Sequence, residues 1–454
     1  MEQILDKVKT HSSPADLRIT DMRVAFVVGA PMKCPIIKIM TNQGIEGYGE
    51  VRDGAHPNYA LMLKRLILGE NPCNVDKLFK KLKPFGGHAR SGGGVSAIEL
   101  ALWDIVGKAY GVPVYQLLGG KYRDSVRMYC DTDVEGKNTG KAMGEALKKR
   151  RDVNGFTFLK MDLGIRLIQD EPGALSAPLG HLESFNEVNK KIQEAVKAGD
   201  QMQARWWRNR LTDLSNIPHP MTGIHITEKG FELLEEYVRE VREVLGTDIP
   251  LAVDHFGHIG VEDCMKLAKR IDKYNLAWLE DMVPWFYTEQ LVKLSKVSTT
   301  PLATGEDIYL KENFKPLLES GAVSVIHPDI LTTGGVMETK KIGDMAQGYG
   351  VAMAVHMAET PVACMAAVHA CAATENFLAL EFHSNDVPWW QTMVNGLPKP
   401  VFNHGFIDVP ETPGFGITSL NDEVLKEHAN PAYPKLWAST EEWDEWTSND
   451  RTWS

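Results

Sequence analysis

The sequence predicts an α/β protein in which an N-terminal α+β domain is followed by a barrel of alternating strands and helices. Residues 1–125 begin with alternating apolar and polar side chains, which is typical of antiparallel strands, and then turn to helical patterns. From about residue 126, short apolar runs alternate with amphipathic helices, as in a parallel sheet or barrel. The polar residues that end these runs recur at a nearly constant interval, which indicates a repeated structural unit.

The composition excludes several classes of protein. Of 454 residues, 43% are hydrophobic and 24% are charged, which is too apolar for a disordered chain. The formal net charge of -11 argues against a nucleic-acid partner. Six scattered cysteines form no C-x-x-C pair, the first segment has no signal-peptide core, and no uninterrupted apolar span is present. We therefore expect a cytoplasmic protein with reduced thiols and no membrane partner.

The N-terminal domain, expected over residues 1–125, is predicted to be a β-meander followed by helices. Strand patterns cover residues 23–28 and 35–41 and the segment IEGYGE, and helical patterns cover residues 57–68 and 75–82. Ser96 followed by Glu99 predicts a capping box at the start of the next helix, which Gly111 ends. This part of the chain should form a compact unit of its own.

The barrel is expected over residues 126–400, because its apolar runs end in polar residues at regular spacing. The runs are TFLKMD, IPLAVDH, LAWLED, PLATGED, VSVIHPD, VAMAVH and LALEFH. When one polar residue is taken from each run after the first, successive residues are 26, 26, 23, 27 and 25 positions apart. In a barrel, residues at the carboxyl ends of the strands converge on the active-site mouth. The residues in this register are Asp254, Glu280, Glu306, Asp329, His356 and Glu381.

Two segments fall outside this repeat. Lys160 and Asp254 are 94 positions apart, so an insertion of roughly 60–70 residues, about 165–228, is expected between their strands and could cover the mouth as a lid. It contains a helical stretch at 184–198 and the basic aromatic patch ARWWRNR. Residues 401–454 should return to the N-terminal domain and end in a tail with four tryptophans that packs on the protein or on a neighbouring subunit.

Three consecutive strand ends carry carboxylates. Asp254, Glu280 and Glu306 together bring three negative charges to one place, which requires a cation. Magnesium prefers an oxygen-only ligand set of this kind and keeps positions open for water or substrate. The alternative, that each acid only caps the following helix, fits one such residue better than three in register. The pattern predicts one Mg2+ per subunit.

Two further strand ends are suited to moving protons. Asp329 and His356 lie one repeat apart, so the carboxylate can orient the imidazole as a general base. Lys160 and Asp162 share one face of their strand, and Lys160 beside a cation could act as an acid, a base or a clamp for a substrate carboxylate. A simple surface pair of Lys160 and Asp162 is the alternative.

Several segments of this chain resemble the enolase superfamily, in its mandelate racemase and muconate lactonizing enzyme branch, and particularly the sugar-acid dehydratases such as those for galactonate, gluconate or mannonate. The resemblance runs from about residue 17 to 417, apart from the insertion, and its motifs are IKIMTNQGIEGYGE, GGGVSAIELALWDIVGKAYGVPVYQLLGGKYRDSV, WLEDMVP, PLATGE, HPDILTTGG, HMAETPV and GFIDVPETPGFGI.

The resemblance implies a modified TIM barrel, (β/α)7β, with an N-terminal α+β capping domain, and a homo-oligomer between a dimer and an octamer. By match to the family's motifs, it implies that Asp254, Glu280 and Glu306 ligate Mg2+. It also implies that Asp329 and His356 form a catalytic dyad and that Glu381 contacts the substrate. The implied chemistry is removal of the proton next to a carboxylate, with loss of the 3-hydroxyl to give a 2-keto-3-deoxy acid.

The sequence departs from these relatives at two points. Where racemases have Lys-x-Lys, this chain has Lys160-Met161-Asp162, which weakens a two-base racemisation and favours dehydration. Some dehydratases carry a histidine that acts as the general acid two residues after the first metal ligand, but Phe256 occupies that position in this chain. The general acid is therefore open among His258, which we favour, His255 and Lys160.

Other side chains are expected to contact the substrate. These candidates are Lys33 and Arg52 from the capping loops, and Asp162, His255 and Glu381 from the barrel. The leading hypothesis is a Mg2+-dependent sugar-acid dehydratase, a hydro-lyase. An epimerase, racemase or cycloisomerase with the same metal site is the nearest alternative, and a sugar-acid sensor without activity is the alternative from another class.

Overall fold

The computed structural model describes residues 12–134, 136–178, 180–216, 223–257 and 259–446. His258, and Trp453 from the tail with four tryptophans, lie outside the described residues. The chain divides into two compact units. The first comprises Met1–Asp131, Arg150–Phe158 and Thr304–Ser454, and the second comprises Thr132–Lys149 and Leu159–Ala303. The predicted domain boundaries at about 125 and 400 stay a prediction.

Seventeen strands occur in the described chain. In chain order, β1 to β17 are Ile19–Val28, Lys33–Thr41, Glu46–Glu50, Ser125–Tyr129, Leu159–Asp162, Leu175–Ser176, His225–Ile226, Leu251–Asp254, Leu279–Glu280, Leu302–Thr304, Val325–Ile326, Ala352–Val355, Phe377–Glu381, Val394–Asn395, Phe402–Asn403, Phe406–Asp408 and Ser419–Leu420.

The helices alternate with the strands after residue 125. The α-helices are Asn58–Leu61, Val75–Leu82, Gly93–Tyr110, Val114–Leu117, Gly140–Asp152, His181–Lys197, Gln201–Asn216, Glu228–Leu245, Val261–Ile271, Thr288–Ser295, Lys311–Ser320, Ile330–Thr333, Val336–Gly348, Pro361–Ala372 and Asp422–Glu427. None of the helices in the described ranges is long and apolar enough to cross a membrane.

The N-terminal sheet packs directly on the helix Gly93–Tyr110. Strands β1, β2 and β3 form the predicted antiparallel meander. A Cβ atom at Gly47 or Gly49 would lie only 2.1 or 1.9 Å from the carbonyl oxygens of Ala101 and Ala97. Only glycine therefore allows β3 to approach the helix backbone this closely.

The predicted capping box at Ser96 is wrong. The helix begins three residues earlier, at Gly93, and the Ser96 hydroxyl donates to Gly92 O within the first turn. Glu99 instead accepts hydrogen bonds from the backbone N–H groups of Val336 and Met337, at the start of another helix. Glu99 therefore caps a helix far along the chain rather than its own helix. The predicted C-terminal end is confirmed, because Gly111 adopts a left-handed conformation with φ of 70°.

The parallel strands of the first unit are ordered β4, β13, β12 and β11, and β16 pairs antiparallel with β4. Glu381 pairs with Tyr129, where β13 and β4 end. Just beyond the ends of β11 and β12, an isolated parallel bridge joins Asp329 to His356. The spacing of polar residues thus marks the carboxyl ends of neighbouring strands, as predicted.

The second unit contains β10, β9, β8 and β5 in a parallel arrangement, with Asp162 paired to Asp254. Its insertion forms the short antiparallel pair β6–β7 and two helices, His181–Lys197 and Gln201–Asn216, that pack on each other. The predicted helical stretch at 184–198 is therefore present. The lid role of this segment stays a prediction.

Candidate active site

The first unit contains a group of charged side chains that we call the His356 cluster. Its centre is the predicted dyad, in which the imidazole Nδ1 of His356 lies 2.6 Å from Asp329 Oδ2. The other ring nitrogen, Nε2, faces Glu306 Oε2 at 3.1 Å and Glu381 Oε2 at 3.8 Å. Its members are Arg52, Asp53, Glu306, Asp329, His356, Glu359 and Glu381.

Asp329 is fixed by the backbone as well as by the imidazole. It is the N-cap of the helix Ile330–Thr333, and its Oδ1 accepts from the N–H groups of Leu331 and Thr332 at 2.7 and 3.0 Å. The second oxygen, Oδ2, remains for His356. The two oxygens therefore have separate tasks, and the short helix sets the direction in which the dyad points.

Arg52 is the cation of the cluster. Its side chain is 1% exposed, and Nη1 lies 2.7 Å from Asp53 Oδ1, 2.9 Å from Asp329 Oδ2 and 2.7 Å from Glu359 Oε1. A buried guanidinium with this many carboxylate partners supports the orientation of the dyad. The structure places Arg52 in contact with the dyad, and its expected contact with substrate stays a prediction.

The electrostatics of the cluster act on the protonation of His356. Burial alone lowers the pKa of an imidazole, but the charge of Glu306, the charge of Glu381 and the hydrogen bond to Asp329 outweigh it. The pKa of His356 is therefore held well above its ordinary value. Glu306 is the strongest of these raising influences.

The second unit contains the Lys160 cluster, which consists of Lys160, Asp162, Asp254, His255 and Glu280. Lys160 Nζ donates to Asp254 Oδ2 and to Glu280 Oε1, both at 3.1 Å, and its side chain is 2% exposed. Asp162, on the same strand, is 39% exposed. His255 Nδ1 lies 3.8 Å from Asp162 Oδ1, and its Nε2 lies 3.8 Å from Asp254 Oδ2.

The backbone after both strand-end acids of this cluster is unusual. His255, which follows Asp254, has φ of 60°, and Asp281, which follows Glu280, has φ of 47°. Residues other than glycine rarely adopt this left-handed region, and such positions concentrate at functional sites. Trp278 Nε1 donates to Glu280 Oε2 at 2.8 Å and so fixes the carboxylate from behind.

The donor atoms fit a hard divalent cation. Asp254 and Glu280 present buried carboxylate oxygens that converge on one ammonium group, and two such carboxylates exceed the charge of that ammonium. In the first unit, Asp329, His356 and Glu359 also place ligand atoms within 4.8 Å of one another. There, however, the guanidinium of Arg52 already contacts both carboxylates.

The remaining predicted residues are placed as follows. Lys33 is exposed at the start of β2, and its carbonyl oxygen accepts from Gly54 N. Glu381 is fully buried at the end of β13. His258, the preferred general acid, is outside the described residues. These roles stay predictions.

Sequence reasoning missed two residues near the dyad, Glu359 and His383. Glu359 belongs to no strand register, and only the fold brings it to Arg52. His383 follows Glu381 by two residues, and its Nε2 lies 3.1 Å from Glu381 Oε1, while its Nδ1 lies 3.8 Å from Asp131 Oδ2. The run LALEFH contained the signal for His383, but only one polar residue was taken from each run.

Two family models match the chain. Residues 142–423 match the enolase C-terminal domain-like model, and residues 5–119 match the N-terminal domain of mandelate racemase and muconate lactonizing enzyme. Among solved structures, a mandelate racemase/muconate lactonizing enzyme-like protein from Rubrobacter xylanophilus is 26% identical, with a TM-score of 0.75, over 93% of this chain and 99% of that one. A member of the enolase superfamily from Salmonella Typhimurium is 25% identical, with a TM-score of 0.72, over 91% and 98%.

Curated relatives cover nearly the whole chain. D-xylonate dehydratase of Haloferax volcanii is 30% identical over 94% of this chain and 92% of its own length. D-galactonate dehydratase of Ralstonia pickettii is 25% identical over 91% and 97%, and arabinonate dehydratase of Saccharolobus solfataricus is 25% identical over 90% and 95%. These relatives are named as sugar-acid dehydratases, which are hydro-lyases. With its N-terminal capping domain and modified TIM barrel, the chain belongs to the mandelate racemase and muconate lactonizing enzyme family of the enolase superfamily.

Proposed function

We propose that this protein is a Mg2+-dependent dehydratase that converts a sugar acid to a 2-keto-3-deoxy acid. The observation that carries the proposal is the buried dyad, in which Asp329 holds Nδ1 of His356 at 2.6 Å and leaves Nε2 directed at carboxylates rather than at another donor. The charge of Glu306, 3.1 Å from Nε2, favours the protonated imidazole. With Mg2+ on Glu306 that charge would be compensated, and an imidazole oriented in this way would be suited to accept a proton from carbon. The relatives named as dehydratases of D-xylonate, D-galactonate and arabinonate support the same reaction class.

The proposed metal ligands are Asp254, Glu280 and Glu306, at the ends of three successive strands in the chain. Enolase superfamily members use a divalent metal, and the oxygen donors of these residues suit Mg2+. When bound, the cation stabilises the negative charge that develops on the substrate carboxylate as the neighbouring proton leaves. Trp278 holds Glu280 in place for this role.

The residues of this chain would then have separate roles in binding the substrate and moving its protons. His356 Nε2 takes the proton from C2, and Asp329 together with Arg52 stabilises the imidazolium that results. Lys160 donates to two carboxylates and is suited to hold the substrate carboxylate. Asp162, in place of a second lysine, leaves the opposite face without a second base, which favours elimination over racemisation.

The proposal is tested by incubating the purified protein with D-xylonate, D-galactonate and arabinonate, with further aldonates and aldarates, in the presence of Mg2+. We expect a 2-keto-3-deoxy product from at least one acid and no product after chelation with EDTA. Absence of turnover across the whole library would contradict the proposal.

The nearest alternative, an epimerase, racemase or cycloisomerase, is separated by running the reaction in D2O. Dehydration releases water and leaves a keto acid, whereas epimerisation returns a sugar acid with deuterium at C2. Tight binding of a sugar acid with neither deuterium exchange nor product would indicate a sensor. We also propose that the protein acts in the cytoplasm as a homo-oligomer. Size-exclusion chromatography with light scattering tests the oligomeric state.

A further inference from the structure

The first unit contains a second carboxylate–imidazole pair beside the dyad. Its members are Asp131 and His383, and the distance from Asp131 Oδ2 to His383 Nδ1 is 3.8 Å. The side chains are each 17% exposed, so the pair reaches solvent-accessible space, whereas Asp329 is fully buried. The proposed function assigns no role to this pair.

The two pairs are built by the same device. Strands β13 and β4 run parallel with Glu381 opposite Tyr129, and Phe382 N continues the ladder by donating to Tyr129 O at 2.9 Å. Counting two residues on from each partner brings His383 opposite Asp131. The dyad arises in the same manner, since Asp329 and His356 form a parallel bridge just past the ends of β11 and β12.

Glu381 connects the two imidazoles. One of its oxygens, Oε2, lies 3.8 Å from His356 Nε2, and the other, Oε1, lies 3.1 Å from His383 Nε2. Glu381 therefore lies between the two Nε2 atoms, and each Nδ1 faces a carboxylate of its own. The ring centroids of His356 and His383 are 6.1 Å apart.

This separation suits two groups that act on neighbouring carbons. A general acid or base must come within about 3 Å of the atom that gives or takes the proton. A base on the hydrogen of C2 and an acid on the hydroxyl of C3 therefore stand on the order of 6 Å apart, with the short C2–C3 bond between them. The spacing of His356 and His383 fits this requirement.

We propose that His383 is the general acid of the reaction, that Asp131 is its positioning residue, and that Glu381 holds the two imidazoles at their separation. The inference rests on the proposed dehydration. His356 Nε2 takes the proton from C2, the electron pair of that C–H bond forms the C2–C3 double bond, and the C3–O bond breaks. His383 Nε2 gives its proton to the departing oxygen, which leaves as water. The resulting enol then loses the proton of its C2 hydroxyl and takes up a proton at C3 to become the 2-keto-3-deoxy acid.

A structural role for His383 predicts different behaviour from a role as the acid. Loss of an acid prevents departure of the hydroxyl but leaves the base able to remove and return the C2 proton. Damage to the site as a whole removes both abilities. Exchange of C2 with solvent deuterium and release of water can be measured separately on the same sample.

The experiment compares the wild-type protein with His383→Asn, using the sugar acid that the wild type turns over, with Mg2+ in D2O. We expect dehydration to fall about 10²- to 10⁴-fold, which is the usual contribution of a general acid, while deuterium still enters C2 of the recovered substrate. His356→Asn should lose both reactions. His404→Asn, at an exposed histidine in the same unit, is the matched control and should keep both.

A substrate that needs no acid provides the decisive arm. In the 3-deoxy-3-fluoro analogue of the same sugar acid, the leaving group is fluoride, which departs without a proton. His383→Asn should release fluoride at close to the wild-type rate, although it no longer releases water. Asp131→Asn, which keeps the imidazole, should lower dehydration by about 10- to 100-fold as a positioning residue and show the same recovery with the fluoride.

Two results would overturn the inference. Dehydration by His383→Asn at the wild-type rate excludes His383 as the acid, and loss of both exchange and fluoride release in a folded His383→Asn variant shows a structural role. A wild-type protein that dehydrates no sugar acid refutes the proposed function itself, and the acid assigned here then has no reaction to serve. The two failures are therefore distinguishable.

Discussion

The His356 cluster and the Lys160 cluster bury acidic groups in two different ways. In the first, a guanidinium and an imidazole lie among five carboxylates, and one nitrogen of Arg52 contacts Asp53, Asp329 and Glu359. In the second, a single ammonium, that of Lys160, lies between the carboxylates of Asp254 and Glu280. The fixed charge of Arg52 compensates the carboxylates of the first cluster. In the second cluster, a metal ion is suited to take over part of the charge compensation that Lys160 provides.

The comparison separates two requirements of the proposed reaction. A base must keep its geometry throughout the cycle, and rigid partners such as the Asp329 N-cap and the Arg52 guanidinium provide this. A metal site must accept an ion with several oxygen ligands, and a flexible lysine that can move aside permits this. The predictions below test whether the clusters differ in this way.

The largest effect is expected from Arg52→Met. Removal of the guanidinium leaves three buried carboxylates without their shared cation, so the free energy of unfolding should fall by about 3–5 kcal/mol. Urea denaturation measures the change, and Mg2+ should not restore it. Arg90→Met is the control, because Arg90 is 46% exposed and its pair with Asp53 contributes under about 1 kcal/mol. Equal effects of the two variants would contradict the assignment.

Lys160→Met should be destabilising in EDTA and recover in Mg2+. The variant removes the ammonium that Asp254 and Glu280 share, with an expected loss of about 2–4 kcal/mol. A bound cation replaces the ammonium and restores about 2.7 kcal/mol at a concentration of about one hundred times Kd. Thermal unfolding with and without Mg2+ measures this. Lys266→Met, at a lysine 62% exposed in the same unit, should show no such recovery.

Trp278→Phe should weaken Mg2+ binding while leaving its ligands in place. The variant removes the N–H that donates to Glu280 Oε2, and loss of such a support lowers metal affinity by about 10- to 100-fold. The measurement is the Mg2+ concentration at half-maximal thermal stabilisation. Trp285→Phe provides the comparison for the loss of an indole elsewhere in the same unit. An unchanged half-maximal concentration would remove Trp278 from the proposed metal site.

The smallest effect concerns Glu50, a buried carboxylate whose hydrogen-bond partners in the described chain are the uncharged Thr360, Ala363 and Cys34. Burial raises its pKa to about 7, above the ordinary 4.5. The folded protein thus binds the proton more tightly than the unfolded chain, and the associated stability is complete below about pH 4.5, is lost as the pH rises through 7, and is constant above that.

Glu50→Gln removes this titration. The stability of the wild type minus that of the variant should therefore decrease by about 1–3 kcal/mol between pH 5 and pH 8, and urea denaturation at both pH values measures it. A difference that does not change with pH, or one that increases, would show that Glu50 is ionised in the folded protein at pH 5.

Sequence patterns predicted the strand-end residues well and the contacts between distant segments poorly. The polar residue that ends each apolar run marks a strand end because the strand interior is buried, which is why Asp254, Glu280 and Glu381 were recognised from one chain. The dyad followed from the same spacing. These features depend on local burial, which can be predicted from the order of apolar and polar residues along the chain.

Arg52 and Glu359 could not be predicted in the same way. They lie 307 positions apart, in segments without a repeat, and their contact depends on how the N-terminal segment packs on the rest of the first unit. Glu99 was misjudged for the same reason, since a nearby serine fitted the capping pattern while the actual partners lie 237 and 238 positions later. His383 was missed because the run that contains it ends in two polar residues rather than one.

The caps supplied by Glu50 and Glu99 have a consequence for synthesis on the ribosome. Both acids belong to the segment that emerges first, yet the N–H groups that they accept from lie at the start of the helices Val336–Gly348 and Pro361–Ala372. More than 200 further residues therefore have to be added before these acids meet the backbone N–H groups that they cap. Burial of either carboxylate without these N–H donors costs free energy, so closure of the N-terminal domain around Glu50 and Glu99 is favoured only once both helices are present.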